Sequence, residues 1–156
     1  MFVMIKSSCI SILIRLKQWP IRQYPSPTHI ARNYIELGQI DKSLGILTQS
    51  YELVKESKNN YSKVNILIEI AYNYTKAGKE DKALEIAEQT FKLVEEIDYG
   101  AHILAKIAYI FKEIGLEEKA LDIFNQSLET SRKEASEFST GETILMEIEE
   151  IYENGW

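Results

Sequence analysis

Few residues of this chain have the types and spacing that catalysis requires. Its single cysteine, Cys9, excludes an intrachain disulfide and a zinc site built on cysteines. A cysteine nucleophile needs a base such as a histidine, and the candidate, His29, lies 20 residues further along the chain. Prolines at positions Pro20, Pro25 and Pro27 interrupt this segment, so no rigid element aligns the pair. We therefore expect no catalytic residues.

Motifs for phosphate, dinucleotide and metal chemistry are also missing from the sequence. It contains no G-x-x-x-x-G-K-[ST], no G-x-G-x-x-G, no H-E-x-x-H and no G-x-S-x-G. Its only histidines, His29 and His102, leave little material for a histidine metal site. The sequence therefore predicts a protein that is not an enzyme and that needs no metal or cofactor.

Charge divides the 156 residues into a basic arm and an acidic body. Residues 1–35 contain five basic residues and no acidic ones, whereas residues 36–156 hold 13 basic and 24 acidic residues. Because affinity for nucleic acid comes largely from cationic contacts to phosphate, we expect the body to bind no nucleic acid. The composition is globular, and its low share of glycine and proline argues against a turn-rich all-β fold.

A fifteen-residue pattern occurs three times without gaps. Residues 30–44 read IARNYIELGQIDKSL, residues 70–84 read IAYNYTKAGKEDKAL, and residues 107–121 read IAYIFKEIGLEEKAL. The shared pattern is I-A-x-x-[YF]-x-x-x-G-x-x-[DE]-K-[AS]-L, and its glycines lie 40 and 37 residues apart. A further glycine, Gly155, follows 40 residues later. Self-similarity at such a period indicates a repeat architecture.

Each copy of the pattern predicts two helices joined by a tight turn. In the second copy, Ala71 and Tyr74 fall at helical spacing, and Gly78 ends that helix because a left-handed backbone costs glycine little. Asp81 then lies near the start of the next helix, where a carboxylate is favoured. Small residues at Ala71 and Ala83 would let the two helices approach closely. A helical hairpin cannot bury its apolar face alone, so the copies should stack.

The predicted fold is therefore all-α, with three helical hairpins and a lone C-terminal helix. Ser26 is the expected N-cap of the first helix, with Pro27 at its first position. The helices are expected at about 27–37, 41–57, 61–77, 80–97, 101–114, 117–134 and 142–154. They form one domain over 26–156, preceded by a basic arm at 1–25, with repeats at about 26–60, 61–100 and 101–141 and a terminal helix at 142–156.

This pattern resembles the tetratricopeptide repeat family. The matching columns are a small residue in the first helix, an aromatic three residues later, the turn glycine, and a small residue in the second helix: Ala31, Ala71 and Ala108; Tyr34, Tyr74 and Phe111; Gly38, Gly78 and Gly115; Ser43, Ala83 and Ala120. The period of 37–40 exceeds the usual 34, and the family's tryptophan column holds Pro27, Leu67 and Leu104. The chain is thus similar to a long-period relative.

The resemblance implies a right-handed solenoid that holds a peptide or a partner helix in a concave groove, without catalysis. In the family this groove is lined mainly by the first helix of each pair, which places eight residues there: Arg32, Glu36, Asn65, Tyr72, Lys76, His102, Tyr109 and Lys112. Lys76 and Lys112 would favour an acidic partner. Arg32, Tyr72 and Tyr109 stand where the family's carboxylate clamp has asparagine, so that clamp is not expected.

Several alternatives stay open at this level. Tyr72 and Tyr109 either face the groove or pack between repeats, whereas Tyr34, Tyr74 and Phe111 are expected in the core. Other functions compatible with the pattern are a peptide-sensing regulator and a self-assembling structural subunit, which would form oligomers through the C-terminal end. There the lone helix leaves an apolar face that must be capped, paired or exposed.

The basic arm is the other open question. Residues 2–19 can form an amphipathic helix, with an apolar stripe of Ile5, Cys9, Ile12, Leu13 and Leu16. Such a helix suits a cap on the first repeat, an anionic membrane surface or an organelle transit peptide, and a flexible tail is the simplest alternative. No apolar run is long enough for a transmembrane span. We expect a cytoplasmic protein, with organelle targeting or peripheral membrane contact through residues 1–19 as the alternative.

Overall fold

Helices form every regular element in the part of the chain that the structure describes. The structure, a computed structural model, describes residues 26–97, 100–137 and 141–156. Within these ranges there are seven helices and no strand: α1 Pro27–Glu36, α2 Ile40–Lys55, α3 Asn60–Lys76, α4 Glu80–Val94, α5 Ala101–Glu113, α6 Glu117–Glu137 and α7 Gly141–Asn154. The predicted all-α class is confirmed, and the predicted helix bounds hold to within three residues. The predictions for the arm at 1–25 fall outside the described residues.

The helix starts follow from local side-chain chemistry. The Ser26 hydroxyl accepts a hydrogen bond from the backbone N–H of His29 at 3.3 Å, and Pro27 takes the first helical position, as predicted. Asn59 caps α3 in the same way, accepting from the N–H of Ser62 at 2.9 Å. Helix α4 has no capping side chain and instead carries Glu80 and Asp81 in its first turn, where their charges meet the positive end of the helix dipole.

The three predicted turn glycines share one backbone conformation. Gly38, Gly78 and Gly115 have φ angles of 71°, 70° and 84°, the left-handed region that favours glycine. In each turn the residue after the glycine donates its N–H to the carbonyl of the repeat's aromatic residue, at 2.8–2.9 Å. This is a Schellman motif, and it satisfies carbonyls that the helix end would otherwise leave unpaired.

The helices pack in a regular order. Each first helix packs on its own second helix, in the pairs α1–α2, α3–α4 and α5–α6. Each first helix also packs on the next one, in the series α1, α3, α5 and α7, while α2, α4 and α6 each pack on the first helix that follows. Among the described helices, no second helix packs on another second helix to a comparable extent.

The small residues of the repeat lie where helices approach one another. Ala31, Ala71 and Ala108 are fully buried, as are their counterparts Ser43, Ala83 and Ala120 in the second helices. Phe111 is fully buried and Tyr74 nearly so. The prediction that Tyr34 belongs to the core is only partly right, since this side chain is half-buried. The described helices that contact α1 are α2 and α3, so Tyr34 lies at the end of the stack.

Helix α7 is attached through its apolar face. It packs against α5 and α6, with Ile148 fully buried. The ring of Tyr152 stacks on that of Phe124 in α6, with centroids 4.1 Å apart. Met146 remains 71% exposed. The apolar face around Ile148 is thus buried against the preceding hairpin.

Candidate binding site on the first-helix face

The predicted groove tyrosines lie side by side on adjacent first helices. Tyr72 on α3 and Tyr109 on α5 occupy the same repeat position, and their ring centroids are 6.2 Å apart. Arg32 occupies that position on α1, and its guanidinium carbon lies 4.8 Å from the centre of the Tyr72 ring. The surface that these three residues share is called the first-helix face below. Its alignment across α1, α3 and α5 follows from the repeat spacing.

A third aromatic residue, Trp156, covers the two tyrosines. Its ring centroid lies 4.5 Å from that of Tyr72, tilted, and 6.0 Å from that of Tyr109, edge to face. Such geometries are the favourable ones for aromatic pairs. We call Tyr72, Tyr109 and Trp156 the aromatic cluster. Tyr109 is 6% exposed, and it contacts Tyr72 across two adjacent first helices, as the alternative of packing between repeats expects.

Gly155 brings Trp156 to this position. Its φ of 77° repeats the left-handed turn of the three pattern glycines, here at the end of α7. A Cβ atom on Gly155 would lie 2.8 Å from Cζ of Tyr109, closer than real Cβ atoms come to a neighbour. Glycine is therefore required here for two reasons, the backbone angle and the contact with the tyrosine ring.

Glu69 on α3 is the polar centre of the face. One carboxylate oxygen accepts a hydrogen bond from Nη2 of Arg32 at 3.0 Å, and the other lies 3.6 Å from Nζ of Lys106. The indole N–H of Trp156 also donates to Glu69. Charge-assisted hydrogen bonds are stronger than neutral ones, and here two of them, from Arg32 and Trp156, converge with the ion pair to Lys106 on one side chain. Glu69 thus connects α1, α5 and the segment after α7.

Buried groups beneath this centre fix its position. The side-chain amide of Asn73, fully buried, donates to the carbonyls of Thr28 at 3.1 Å and of Glu69 at 2.9 Å. No acceptor among the described residues lies within bonding distance of Nε of Arg32, which is buried. The cost of burying the guanidinium charge is therefore offset by Glu69 and by the Tyr72 ring.

Cations surround the aromatic cluster. Nζ of Lys106 lies 4.7 Å from the Trp156 ring centre, and Nζ of Lys76 lies 5.2 Å from Tyr72 and 5.7 Å from Tyr109. These distances are within the range of cation–π attraction. Lys76 also forms an ion pair with Glu113 at 3.1 Å.

Burial and charge shift the titration of these groups in opposite directions. Burial, together with the nearby Arg32 charge, lowers the pKa of Lys106, although Glu69 opposes this shift. Burial also lowers the pKa of Lys76, but the hydrogen bond to Glu113 and the interaction with Tyr72 outweigh it, so its pKa is raised. Desolvation raises the pKa of the Tyr109 hydroxyl despite its contact with Lys76. Burial therefore outweighs the favourable charge interactions at Lys106, whereas the reverse holds at Lys76.

The other predicted groove residues lie around this centre or away from it. Glu36 is exposed, at the repeat position of Lys76. Asn65 donates to the carbonyl of Tyr61 within α3, at 2.8 Å. Burial lowers the pKa of His102, and the charge of Lys106 lowers it further. Lys112 contacts α7, where its Nζ donates to the Tyr152 carbonyl at 3.0 Å and lies 3.8 Å from a Glu153 carboxylate oxygen. Lys112 thus holds the last helix in place.

Three residues of the site were not among the predicted ones, namely Glu69, Lys106 and Trp156. Glu69 and Lys106 immediately precede the first isoleucine of the second and third copies, so they share a repeat column. That shared column was a usable signal. Trp156 follows the last glycine, where the repeat ends, and no spacing places it over the tyrosines.

The described residues hold neither a candidate metal site nor a candidate membrane-spanning helix. In residues 26–97, 100–137 and 141–156, no three His, Cys, Asp or Glu side chains are grouped so that they could hold a metal ion. No helix in these same ranges is long and apolar enough to cross a membrane. No protein-family model matches the sequence, and no curated protein or solved structure is detectably similar to it.

Proposed function

We propose that the chain is a non-catalytic interaction module that binds a peptide or a partner helix on its first-helix face. The observation that carries this proposal is the position of the Trp156 side chain. A side chain from outside the three hairpins lies on Tyr72 and Tyr109 and bonds to Glu69. A surface that receives an aromatic side chain with matched polar contacts has the chemistry of a peptide-binding site.

We further propose that the hairpins form a right-handed solenoid of the tetratricopeptide type, with the first-helix face as its concave side. Two features support this arrangement. First helices contact one another in series, and each second helix contacts the following first helix. The turn after each first helix is also the same in all three copies. In such an array the first helices present a continuous surface to an extended ligand.

The charge around the aromatic cluster favours a partner with acidic residues near its aromatic anchor. Arg32, Lys76 and Lys106 lie within cation–π range of the cluster, although the body of the chain is strongly acidic. Lys76 is the most accessible of them, with 35% of its side chain exposed. Its ion pair with the equally exposed Glu113 contributes little to stability, so a partner carboxylate can replace Glu113 at low cost.

Reversing the charge of Lys76 tests the proposal. With the full chain as bait in a lysate of its source cells, we expect Lys76→Glu to weaken capture of the partner by about tenfold, the scale of a lost charge–charge contact at an interface. Lys82→Glu is the matched control, since Lys82 is an exposed lysine on α4 with one glutamate partner, Glu85. Partner capture and circular dichroism would be measured for both variants.

The two variants separate the possible surfaces. If Lys76→Glu loses the partner and Lys82→Glu retains it, binding on the first-helix face is supported. Equal capture by both variants and the unchanged chain would contradict it. A loss seen only with Lys82→Glu would move the site to the second helices.

A further inference from the structure

We propose that Trp156 is an internal occupant of the binding site, and that the partner displaces it with a tryptophan side chain of its own. This inference rests on the proposed function and specifies it. It makes the site self-blocked in the free protein and assigns the partner a recognisable anchor, an indole.

The contacts around Trp156 correspond to each chemical feature of an indole. An indole has one N–H donor and no acceptor, and Glu69 supplies the acceptor. It has two broad faces and an edge. Tyr72 packs against the ring at 4.5 Å, Tyr109 meets it edge to face at 6.0 Å, and the Lys106 ammonium lies 4.7 Å from its centre. Phenylalanine would leave the carboxylate without this donor, so the site discriminates in favour of tryptophan.

The tether that holds Trp156 is short and local. Helix α7 ends at Asn154, and only Gly155 separates it from Trp156. Rotation about the backbone of Gly155 can lift the indole away from the face without moving Ile148, the buried anchor of α7. Trp156 itself is only partly buried. Release therefore exposes the site while the helices stay packed.

A tethered occupant lowers the affinity for any external one. A segment on a short tether acts at an effective concentration of about a millimolar, so an external peptide with the same anchor must compete against it. Removing the indole, or preventing it from seating, should raise the apparent affinity for such a peptide.

The probe is a peptide with the sequence of residues 150–156, EIYENGW, amidated at its C-terminus and carrying a fluorescent label at its N-terminus. Its binding to the full chain would be measured by fluorescence anisotropy. The control peptide, EIYENGA, lacks the indole. Three proteins would be compared: the unchanged chain, Trp156→Ala and Gly155→Ala. The second variant keeps the indole but adds a Cβ atom 2.8 Å from the Tyr109 ring at a left-handed backbone position.

We expect both variants to bind EIYENGW at least about tenfold more tightly than the unchanged chain, because the internal competitor is absent or displaced. None of the three proteins should bind EIYENGA measurably. Circular dichroism and thermal unfolding would establish that both variants remain folded. If Gly155→Ala also binds EIYENGW more tightly, the gain cannot come from a missing side chain, because this variant keeps Trp156.

Two results would overturn the inference. One is equal binding of EIYENGW by all three proteins, which would mean that Trp156 blocks nothing. The other is the absence of binding by both folded variants, which would mean that the site does not select an indole. If either occurred while Lys76→Glu still lost its captured partner, the proposed function would stand and only this inference would fail.

Discussion

Replacing Phe111 with alanine should lower the free energy of unfolding by about 3–5 kcal/mol, the range measured for deletion of fully buried aromatic side chains. Phe111 is completely buried in α5, at the aromatic position of the third copy. Its backbone carbonyl also accepts the N–H of Leu116, at 2.9 Å, in the turn that leads to α6. Alanine would leave a cavity between α5 and the helices that pack on it.

Tyr34→Ala is the matched control for this prediction. It removes the aromatic residue of the same repeat position in the first copy, where the side chain is only half-buried. Because the cost scales with the apolar area removed from the core, we expect a loss below about 2 kcal/mol. Urea unfolding followed by circular dichroism would measure both. Equal losses would contradict a stack in which α1 lies at one end and α5 inside.

Removing the carboxylate of Glu69 should have the largest effect at the candidate site. Glu69→Ala deletes the carboxylate that accepts hydrogen bonds from Arg32 and the Trp156 indole and forms an ion pair with Lys106. We expect a loss of about 1.5–3 kcal/mol in unfolding free energy, the scale of hydrogen bonds to a charged group. We also expect the Trp156 side chain to move away from Tyr72 and Tyr109, because its N–H loses its acceptor. In addition, Arg32 and Lys106 would repel each other once the carboxylate is gone.

Fluorescence can follow that displacement directly. Trp19 is the other tryptophan of the chain, so the measurement uses a Trp19→Phe background. Glu69→Ala should shift the Trp156 emission to longer wavelength and increase its quenching by acrylamide. Glu113→Ala is the control, since Glu113 pairs with Lys76 on the exposed rim and should change stability by less than about 1 kcal/mol. Unchanged emission in Glu69→Ala would show that Glu69 does not hold the indole.

Local features of the fold were predictable from the sequence because single residue types determine them. Ser26 and Pro27 identify the start of α1. Gly78 and its counterparts identify the ends of the first helices, since few residues other than glycine adopt a positive φ angle. The repeat also placed Ala71 and Ala83 at close helix contacts, and both are fully buried. These features depend on neighbours within a few residues, which the sequence displays directly.

Part of the site was also predictable, because a repeat places equivalent residues on one face. The spacing alone paired Tyr72 with Tyr109 and put Arg32 in line with them, and the contacts between these residues agree. Glu69 and Lys106 also share a repeat column, the one directly before Ile70 and Ile107. The same reasoning applied to that column would have paired them, although their opposite charges make the column less conspicuous.

The position of the Trp156 side chain could not be predicted because it depends on tertiary geometry. Glu69, its hydrogen-bond acceptor, is 87 residues away along the chain. The outcome depends on where α7 ends relative to α5, and that is determined by the packing of Ile148 and by the contacts of Lys112 with Tyr152 and Glu153. No pattern in residues 142–156 encodes this position.

Binding on the first-helix face can be tested most directly by asking which face of the molecule a partner touches. A photo-cross-linking amino acid would replace Glu36, an exposed residue on α1 at the repeat position of Lys76, and separately Leu121, which is 52% exposed on the second helix α6. Both full-length chains would be irradiated in a lysate of the source cells. We expect a covalent adduct with a second protein from position 36 and none from position 121. An adduct from position 121 alone would show that the partner does not bind on the first-helix face.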